Sequence, residues 1–342
     1  MKICIVGVGA IGGFVGTRLA VAGRAQVSAL ARGATLAALR AHGWRLLQDG
    51  ALLTAPATAS ADPRELGPQD VVLIAVKGPA LPDLAPTLAP LIGPLTLVVP
   101  AMNGVPWWFA GAIPQLGGIP LETVDPGGRT GAAIPLSQVI GCVVHASTAT
   151  SEPGLTTHRM GKGLIIGEAI GGDSARVRAL GEVLAHAGFD VTCSPRVRYD
   201  IWYKLWGNMT ANPVSAITGA TMDRILDDVL VRKFCTDAMR EAAAIGEKIG
   251  CEVDQTPDDR HVITRKLGAF RTSMLQDAEC GRTIELDSIV GAAREIGQRV
   301  GVATPTIDAL YGLTRLFGRV HGLYPPAVEH ATLVGAADVK VP

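Results

Sequence analysis

Lys204, Asn208 and Asn212 stand four residues apart in the stretch DIWYKLWGNMTANP. On a helix that spacing puts all three on one face, and the pair Trp202 and Trp206 points roughly the other way. A lysine facing a bound ketone can serve its oxygen twice. The charge stabilises an alkoxide as it forms, and the ammonium supplies the proton that quenches it. Amide side chains a turn away can orient the polar ends of such a substrate. The pattern by itself admits two readings, the lining of a cleft or the solvated face of an amphipathic helix. Pro213 directly after Asn212 is expected to end or kink the helix.

A hydride donor fits the other end of the chain. In MKICIVGVGAIGGFVGTRLAVAG, the β-branched run KICIV reads as a buried strand, and AIGGFVGTRLAVAG as a helix capped by Gly23. Between them lie Gly7, Val8, Gly9, Ala10, Ile11 and Gly12. Gly7 permits a tight turn, Gly9 lets a pyrophosphate approach the backbone at the helix N-terminus, and Gly12 lets helix and strand pack closely. This is the context in which a GxGxxG motif indicates a dinucleotide site, with a purely structural turn as the alternative. A signal peptide fits poorly, because glycine breaks the apolar run at spaced positions. The second strand, AQVSALAR, ends in Ala31 and Arg32 with no acidic residue to take a ribose hydroxyl. Arg32 can instead pair with a 2′-phosphate in bidentate geometry, which points to NADP; the alternative is a solvated arginine before a helix.

The elements that must position these groups follow along the chain. Residues 70–81 and 94–105 read as buried strands, with Lys77 and Asn103 just past their apolar runs, where an open parallel sheet forms its ligand crevice. Lys77 can also be a solvated loop residue, and Asn103-Gly104 a plain turn. From 110 to 170 the chain is turn-rich, and QVIGCVVHAS, GLTTHRM and GLIIGE read as short strands of an antiparallel extension, with His145 and His158 in structural roles. SARVRALGEVLAHAG is expected as a helix and DVTCS as a strand. After residue 196 five helices are expected: VRYDIWYKLWGNMTAN, DDVLVRKFCTDAMREAAAIGEKIG, PDDRHVITRKLGAFRTSMLQD, IELDSIVGAAREIGQRVG and PTIDALYGLTRLFGRVHG. The fold class is therefore an α/β, Rossmann-type dinucleotide-binding domain over 1–195, followed by an all-α domain over 196–335, with the site in the cleft between them. A length of 342 residues accommodates both. Thirty-one basic residues balance 31 acidic ones, which excludes nucleic acid and anionic membrane as main partners. Six cysteines without a CxxC pair fit reduced thiols in the cytoplasm, and no metal site is expected.

In order along nearly the whole chain, GVGAIGG, VKGPAL, AMNGV, IWYKLWGNMTANPVSAITGAT and SMLQDAECGRTIELDSIVG resemble the ketopantoate reductase (2-dehydropantoate 2-reductase) family. The resemblance implies NADPH-dependent reduction of a 2-oxo acid to a 2-hydroxy acid, first of all ketopantoate to D-pantoate in pantothenate and coenzyme A biosynthesis. By position Lys204 matches the family's catalytic lysine, and Glu285 in TIELDS its glutamate near the nicotinamide ribose and the substrate. Asn208, Asn212 and Ser273 match substrate contacts. Lys77 and Asn103 match cofactor-side residues, with Asn103 reaching the substrate as well, and Ser147 falls where a backbone contact to the cofactor is expected. Beside these roles, Ser273 can be an ordinary mid-helix serine, and Glu285 can simply favour a helix N-terminus. The chain departs from the family's pattern at Met222, where many members carry an asparagine ligand, at Ala80, at Trp107-Trp108 and in LETVDPGGRTG. A lost polar ligand would favour a less polar 2-oxo acid. The expected partners are a small-molecule 2-oxo acid and a second copy of the chain. A reductase of another 2-oxo acid or an imine, and a non-catalytic NADP sensor, are the rival readings; Lys204 together with Glu285 speaks against the sensor.

Overall fold

The KICIV run forms the centre of a parallel sheet, and the computed structural model, which describes residues 1–326, shows why. Strand β1 (Lys2–Val6) buries four of its five residues, with β2 (Gln26–Leu30) and β6 (Gln69–Ile74) as parallel neighbours. Strands β5 (Thr58–Ser60) and β7 (Ile92–Pro100) complete the order β5-β2-β1-β6-β7. The direction of winding reverses between β1 and β6, the point at which such sheets open a crevice beyond the strand ends. Both predicted strand windows after β1 are too long. β6 stops at Ile74 and β7 at Pro100, so Lys77 and Asn103 lie in the crevice loops.

Helix α1 (Ala10–Ala22) follows β1 and ends on Gly23, as expected. Gly7 has φ +88°, a left-handed conformation that only glycine adopts at little cost. A Cβ on Gly12 would lie 2.0 Å from the carbonyl oxygen of Gly7, so the helix start and the turn touch backbone to backbone. Helix α2 (Gly33–His42) connects β2 to a hairpin that the sequence reading overlooked, β3 (Trp44–Gln48) and β4 (Ala51–Ala55). Its turn, Asp49-Gly50, has positive φ at both residues, the requirement of a type I′ hairpin.

The antiparallel extension contains two long strands where three short ones were expected. β8 (Ile140–Glu152) pairs with β9 (Leu155–Glu168), and GLTTHRM and GLIIGE are one continuous strand. Register shifts around Ser147 absorb the turn-like residues that made the run look broken. On its other edge β9 carries β3 and β10 (Asp190–Cys193), both parallel, closing a second sheet.

Three single-turn helices, α3 (Pro63–Leu66), α4 (Leu81–Leu84) and α5 (Arg129–Ala133), precede α6 (Ala175–His186). The helical half begins at α7 (Val197–Thr218), which runs through Pro213 and stops at Gly219. The missing proline N–H removes one hydrogen bond, and the burial of Trp202, Trp206, Met209, Pro213 and Val214 holds the helix intact. Helices α8 (Met222–Asp227) and α9 (Val229–Lys248) follow. The expected third helix is split into α10 (Pro257–Arg265) and α11 (Ser273–Glu279), because the chain turns at Gly268 and Thr272 caps a new start. Ser273 is thus the first residue of a helix and not mid-helical. A π turn (Asp287–Gly291) leads into α12 (Ala292–Arg299), and α13 (Pro305–Val320) completes the described chain. The expected boundary at 335 lies outside the described residues. No helix among them is long and apolar enough to cross a membrane.

Two apolar cores flank the first sheet. One joins α1 and the second sheet to it. The other runs without interruption from Cys4, Val6 and Val72 through Trp107, Trp108 and Phe109 to Trp202, Trp206 and Ala293 in the helices. Because the atom facing Gly12 is backbone, it cannot swing aside. Gly12→Ala is expected to cost about 1–3 kcal/mol, read as a lower urea midpoint at unchanged m-value; a midpoint equal to the parent's would contradict this packing.

Candidate active site

The crevice loops, the bulged part of β8, α7 and α11 enclose a cavity of about 340 Å³. Gly9, Ala10 and Ile11 reach it from the glycine turn, Lys77 from the loop after β6, Asn103 from the loop after β7, and Ser147 from β8. Lys204, Ser273 and Glu285 face it from the helical half. These nine residues, spread over the sequence, are brought together.

Lys204 is held from across the cleft. Its Nζ donates to the carbonyl oxygen of Val144 at 2.7 Å and to Oδ1 of Asn103 at 3.1 Å. Trp202 and Trp206 are fully buried on the far side of α7, and their indole N–H groups donate to Ala242 and Met239 carbonyls. The lysine face of α7 is therefore a cleft lining and not a solvated surface. Burial pulls the Lys204 ammonium down to a pKa of about 8, against the opposing pull of Cys142 and Glu285. The same enclosure pushes the Glu285 carboxyl up, opposed by the Gly78 N–H, which donates to Oε1 at 3.2 Å, and by Lys77.

Lys77 is anchored to the helical half. Its Nζ donates to the carbonyl oxygen of Thr283 at 2.6 Å and pairs with Asp277 at 2.9 Å. The other oxygen of Asp277 accepts from Arg282 at 2.9 Å. Asp277, Arg282 and Gln276 all line the cavity, and sequence reasoning assigned none of them a role. Asp277 lies 200 residues from Lys77, so no local spacing could reveal the pair; the quoted SMLQDAECGR run was the available signal.

The remaining expected site residues lie elsewhere. Gly7, Val8 and Gly12 build the turn from behind the cavity. Arg32 is exposed at the N-cap of α2, beyond the end of β2. Asn208 borders a separate, water-sized cavity of about 20 Å³ with Lys204, Met102 and Cys142. Asn212 is buried off the cleft, and its amide nitrogen has no partner among the described residues. Met222 does not border the cleft either. It packs with Val214, Ile225, Leu226, Cys235 and Leu310 in a small core, so it gives no ground for a less polar substrate. His158 stacks on Phe14 at 4.9 Å, a structural role.

A dinucleotide fits this lining. A Cβ added at Gly9 would meet no atom within 4 Å, which leaves the backbone at the start of α1 open to a close ligand. On the opposite wall the Thr148 hydroxyl is buried without a partner among the described residues. Lys77, Asn103 and Glu285 line the same cavity, and Asn103 accepts from Lys204.

Residues 3–171 match the family model described as Ketopantoate reductase PanE/ApbA, and residues 196–317 match its C-terminal counterpart. A 2-dehydropantoate 2-reductase of Mesorhizobium japonicum is 43% identical over 325 residues, 95% of this chain and 100% of the relative. A crystal structure from Ralstonia solanacearum MolK2, described as a candidate ketopantoate reductase, superposes with a TM-score of 0.90 at 54% identity, over 94% of this chain and 99% of that one. A D-mandelate dehydrogenase solved with NADH and anilino(oxo)acetate has a TM-score of 0.81 at 20% identity, over 94% and 100% of the two chains, a likeness of fold alone. With both halves matched and a relative this similar along nearly its full length, the chain belongs to the ketopantoate reductase family.

Proposed function

We propose that this protein is an NADP-dependent oxidoreductase that reduces a 2-oxo acid to the 2-hydroxy acid, with ketopantoate to D-pantoate as the leading reaction. The supporting observation is the fixed Lys204 ammonium facing the same cavity as Gly9 and Glu285. Bound NADPH supplies the hydride. Gly9, Ala10 and Ile11 would hold its pyrophosphate by their backbone, Arg32 its 2′-phosphate, and Lys77, Asn103, Ser147 and Glu285 its nicotinamide half. Asn103 and Val144 use two of the three ammonium N–H donors, which leaves one for the substrate's keto oxygen. That N–H stabilises negative charge on the oxygen and then transfers its proton. A pKa near 8 suits this acid to work close to neutrality. Ser273, at the start of α11, and Asn208 and Asn212 on α7 complete the proposed substrate contacts. Residues 1–195 are read as the cofactor domain and those from 196 onward as the catalytic one, since the chain changes from strand to helix between Cys193 and Val197. Six free cysteines, four of them buried, support a cytoplasmic setting, and a homodimer is the proposed assembly, to be measured by light scattering.

A second reading, a reductase of a bulkier 2-oxo acid, is favoured by one observation. Another cavity of about 210 Å³ lies on the other side of Asn103 and Glu285, walled by Leu81, Val105, Trp107, Val124 and Pro126. The departures at Trp107 and in the 121–131 stretch thus build an apolar chamber next to the site. NADPH oxidation with ketopantoate beside aromatic and branched 2-oxo acids decides between the readings. Binding of NADPH without turnover of any ketone would favour the sensor.

Lys204→Ala is expected to lose about a hundredfold or more in kcat while keeping its fold and NADPH affinity. In the parent, kcat/KM falls as pH rises through about 8, because only the protonated lysine can donate. A folded Lys204→Ala protein within a few-fold of the parent sinks the mechanism. Arg32→Ala should erase an NADPH-over-NADH preference of about tenfold, about 1.4 kcal/mol; equal use of both cofactors by the parent refutes the assignment. Gly9→Ala should leave thermal stability unchanged and weaken NADPH binding in a fluorescence titration, whereas unchanged affinity moves the pyrophosphate elsewhere.

A further inference from the structure

Three of the described residues line both the 340 Å³ cavity and the apolar chamber: Met102, Asn103 and Glu285. Two of them are fixed by polar contacts. Asn103 accepts from Lys204, and Glu285 accepts from the Gly78 N–H. The Met102 side chain is only partly buried and packs against the long core, with its methyl carbon 3.8 Å from where a Cβ on Gly78 would stand. It also borders the water-sized cavity beside Lys204, so three separate spaces adjoin it. An unbranched thioether with three rotatable bonds adapts readily to such a place. The backbone around it does not. The Ala101 N–H donates to the Ile74 carbonyl oxygen at 2.8 Å, and the Val105 N–H to that of Ser288 at 2.7 Å. Gly104, with φ +80°, lies so close to Ser288 that an added Cβ would stand 2.3 Å from its carbonyl oxygen. The loop is pinned on both sides of Met102, and movement is left to the side chain.

The chamber behind Met102 suits an apolar group. Leu81, Val105, Trp107, Val124 and Pro126 line it and neither of the other two cavities. Polar groups in its wall are already engaged: Asp287 accepts from the Tyr311 and Tyr324 hydroxyls at 2.9 and 2.7 Å, and the Thr123 hydroxyl donates to Glu295. An apolar cavity of about 150 Å³ is enough to hold a benzene ring, and this one has about 210 Å³. The chamber is also within reach of the chemistry. Met102 adjoins Asn103, whose Oδ1 is 3.1 Å from the Lys204 ammonium, and it lines the same cavity as that ammonium.

We propose that Met102 is a specificity-determining residue. With the keto oxygen of a 2-oxo acid on Lys204, the Met102 side chain stands between the acid's apolar substituent and the chamber, and its displacement admits branched and aromatic substituents there. This rests on the reductase reading above and names the residue that sets how large an apolar substituent the site accepts.

The test is steady-state kinetics of the full chain with NADPH, read as the ratio of kcat/KM for phenylpyruvate to that for 2-oxobutyrate. Met102→Ala, which opens the wall, should raise the ratio by about tenfold or more, the scale on which an apolar pocket tells substituents apart. Met102→Ile, apolar but stiff at χ1, should lower it. Val124→Phe fills the chamber from a wall that the catalytic cavity does not share; it should lower the ratio and, combined with Met102→Ala, cancel the gain. Should Val124→Phe not fold, the opposed signs of the two Met102 variants carry the test. A folded Met102→Ala protein with the parent's ratio overturns the proposal, as does a double variant that keeps the gain. A Val124→Phe protein that loses NADPH affinity instead gives the chamber to the cofactor and overturns it too. Equilibrium binding of phenylpyruvate to the NADP-loaded protein separates the two readings. If Met102→Ala tightens that binding in a protein that reduces no 2-oxo acid, the reductase reading fails and Met102 keeps its role. If the folded variant binds phenylpyruvate and 2-oxobutyrate with the parent's affinities, the role of Met102 fails.

Discussion

One ammonium group ties the site together. Lys204 projects from α7, yet its hydrogen-bond partners are Asn103, in the loop after β7, and Val144, in the second sheet. Three separately built pieces of chain meet at this nitrogen. The contact is possible because the two tryptophans of α7 lock the helix from behind and the indole N–H groups find carbonyl partners on α9. An enclosed ammonium without a salt bridge among the described residues gives up part of its affinity for a proton. The geometry that positions the lysine is thus also what tunes it as an acid.

Around that point the two halves are clamped by polar contacts that reach across them. Lys77 bonds Thr283 and Asp277, Gly78 donates to Glu285, and the Val105 N–H donates to the Ser288 carbonyl oxygen at 2.7 Å inside the π turn. Asn103 and Glu285 are consequently fixed by neighbouring contacts, and each separates the 340 Å³ cavity from the apolar chamber beside it. A substituent that grows past either residue leaves a polar site for a wall of leucine, valine, proline and tryptophan.

The parts of this arrangement that were legible in the sequence are those governed by local periodicity. The glycine turn between strand and helix, the face shared by Lys204 and Asn208, and the opposed tryptophans follow from spacings of two to five residues, and the structure keeps them all. Ser273 and Pro213 were misread for a different reason. Local helix signals ran on past Gly268, where tertiary packing and the Thr272 cap start a new helix, and Pro213 ended a pattern that burial carries through. The β3–β4 hairpin was legible in its Asp-Gly turn and was passed over. Asp277 beside Lys77 and the placement of Met222 in a separate core depend on chain segments far apart in the sequence, and no window of residues contains them. Family resemblance located Glu285 and Ser273; it did not reveal what neutralises Lys77.

The uninterrupted core that begins at Cys4 and ends among the last helices has a consequence for the order of synthesis. The first sheet is complete when Pro100 has emerged, but the core that continues from it also takes in Trp202, Trp206, Ile289 and Ala293, which come one to two hundred residues later. At ribosomal rates of about 5–20 residues per second, that core waits many seconds for its last members. Leu81, Ala85, Leu88 and Leu91 and the buried aromatic residues from Trp107 to Phe109 are members of that core already made by then. A nascent chain of this design carries part of its core before the helices that complete it have been made.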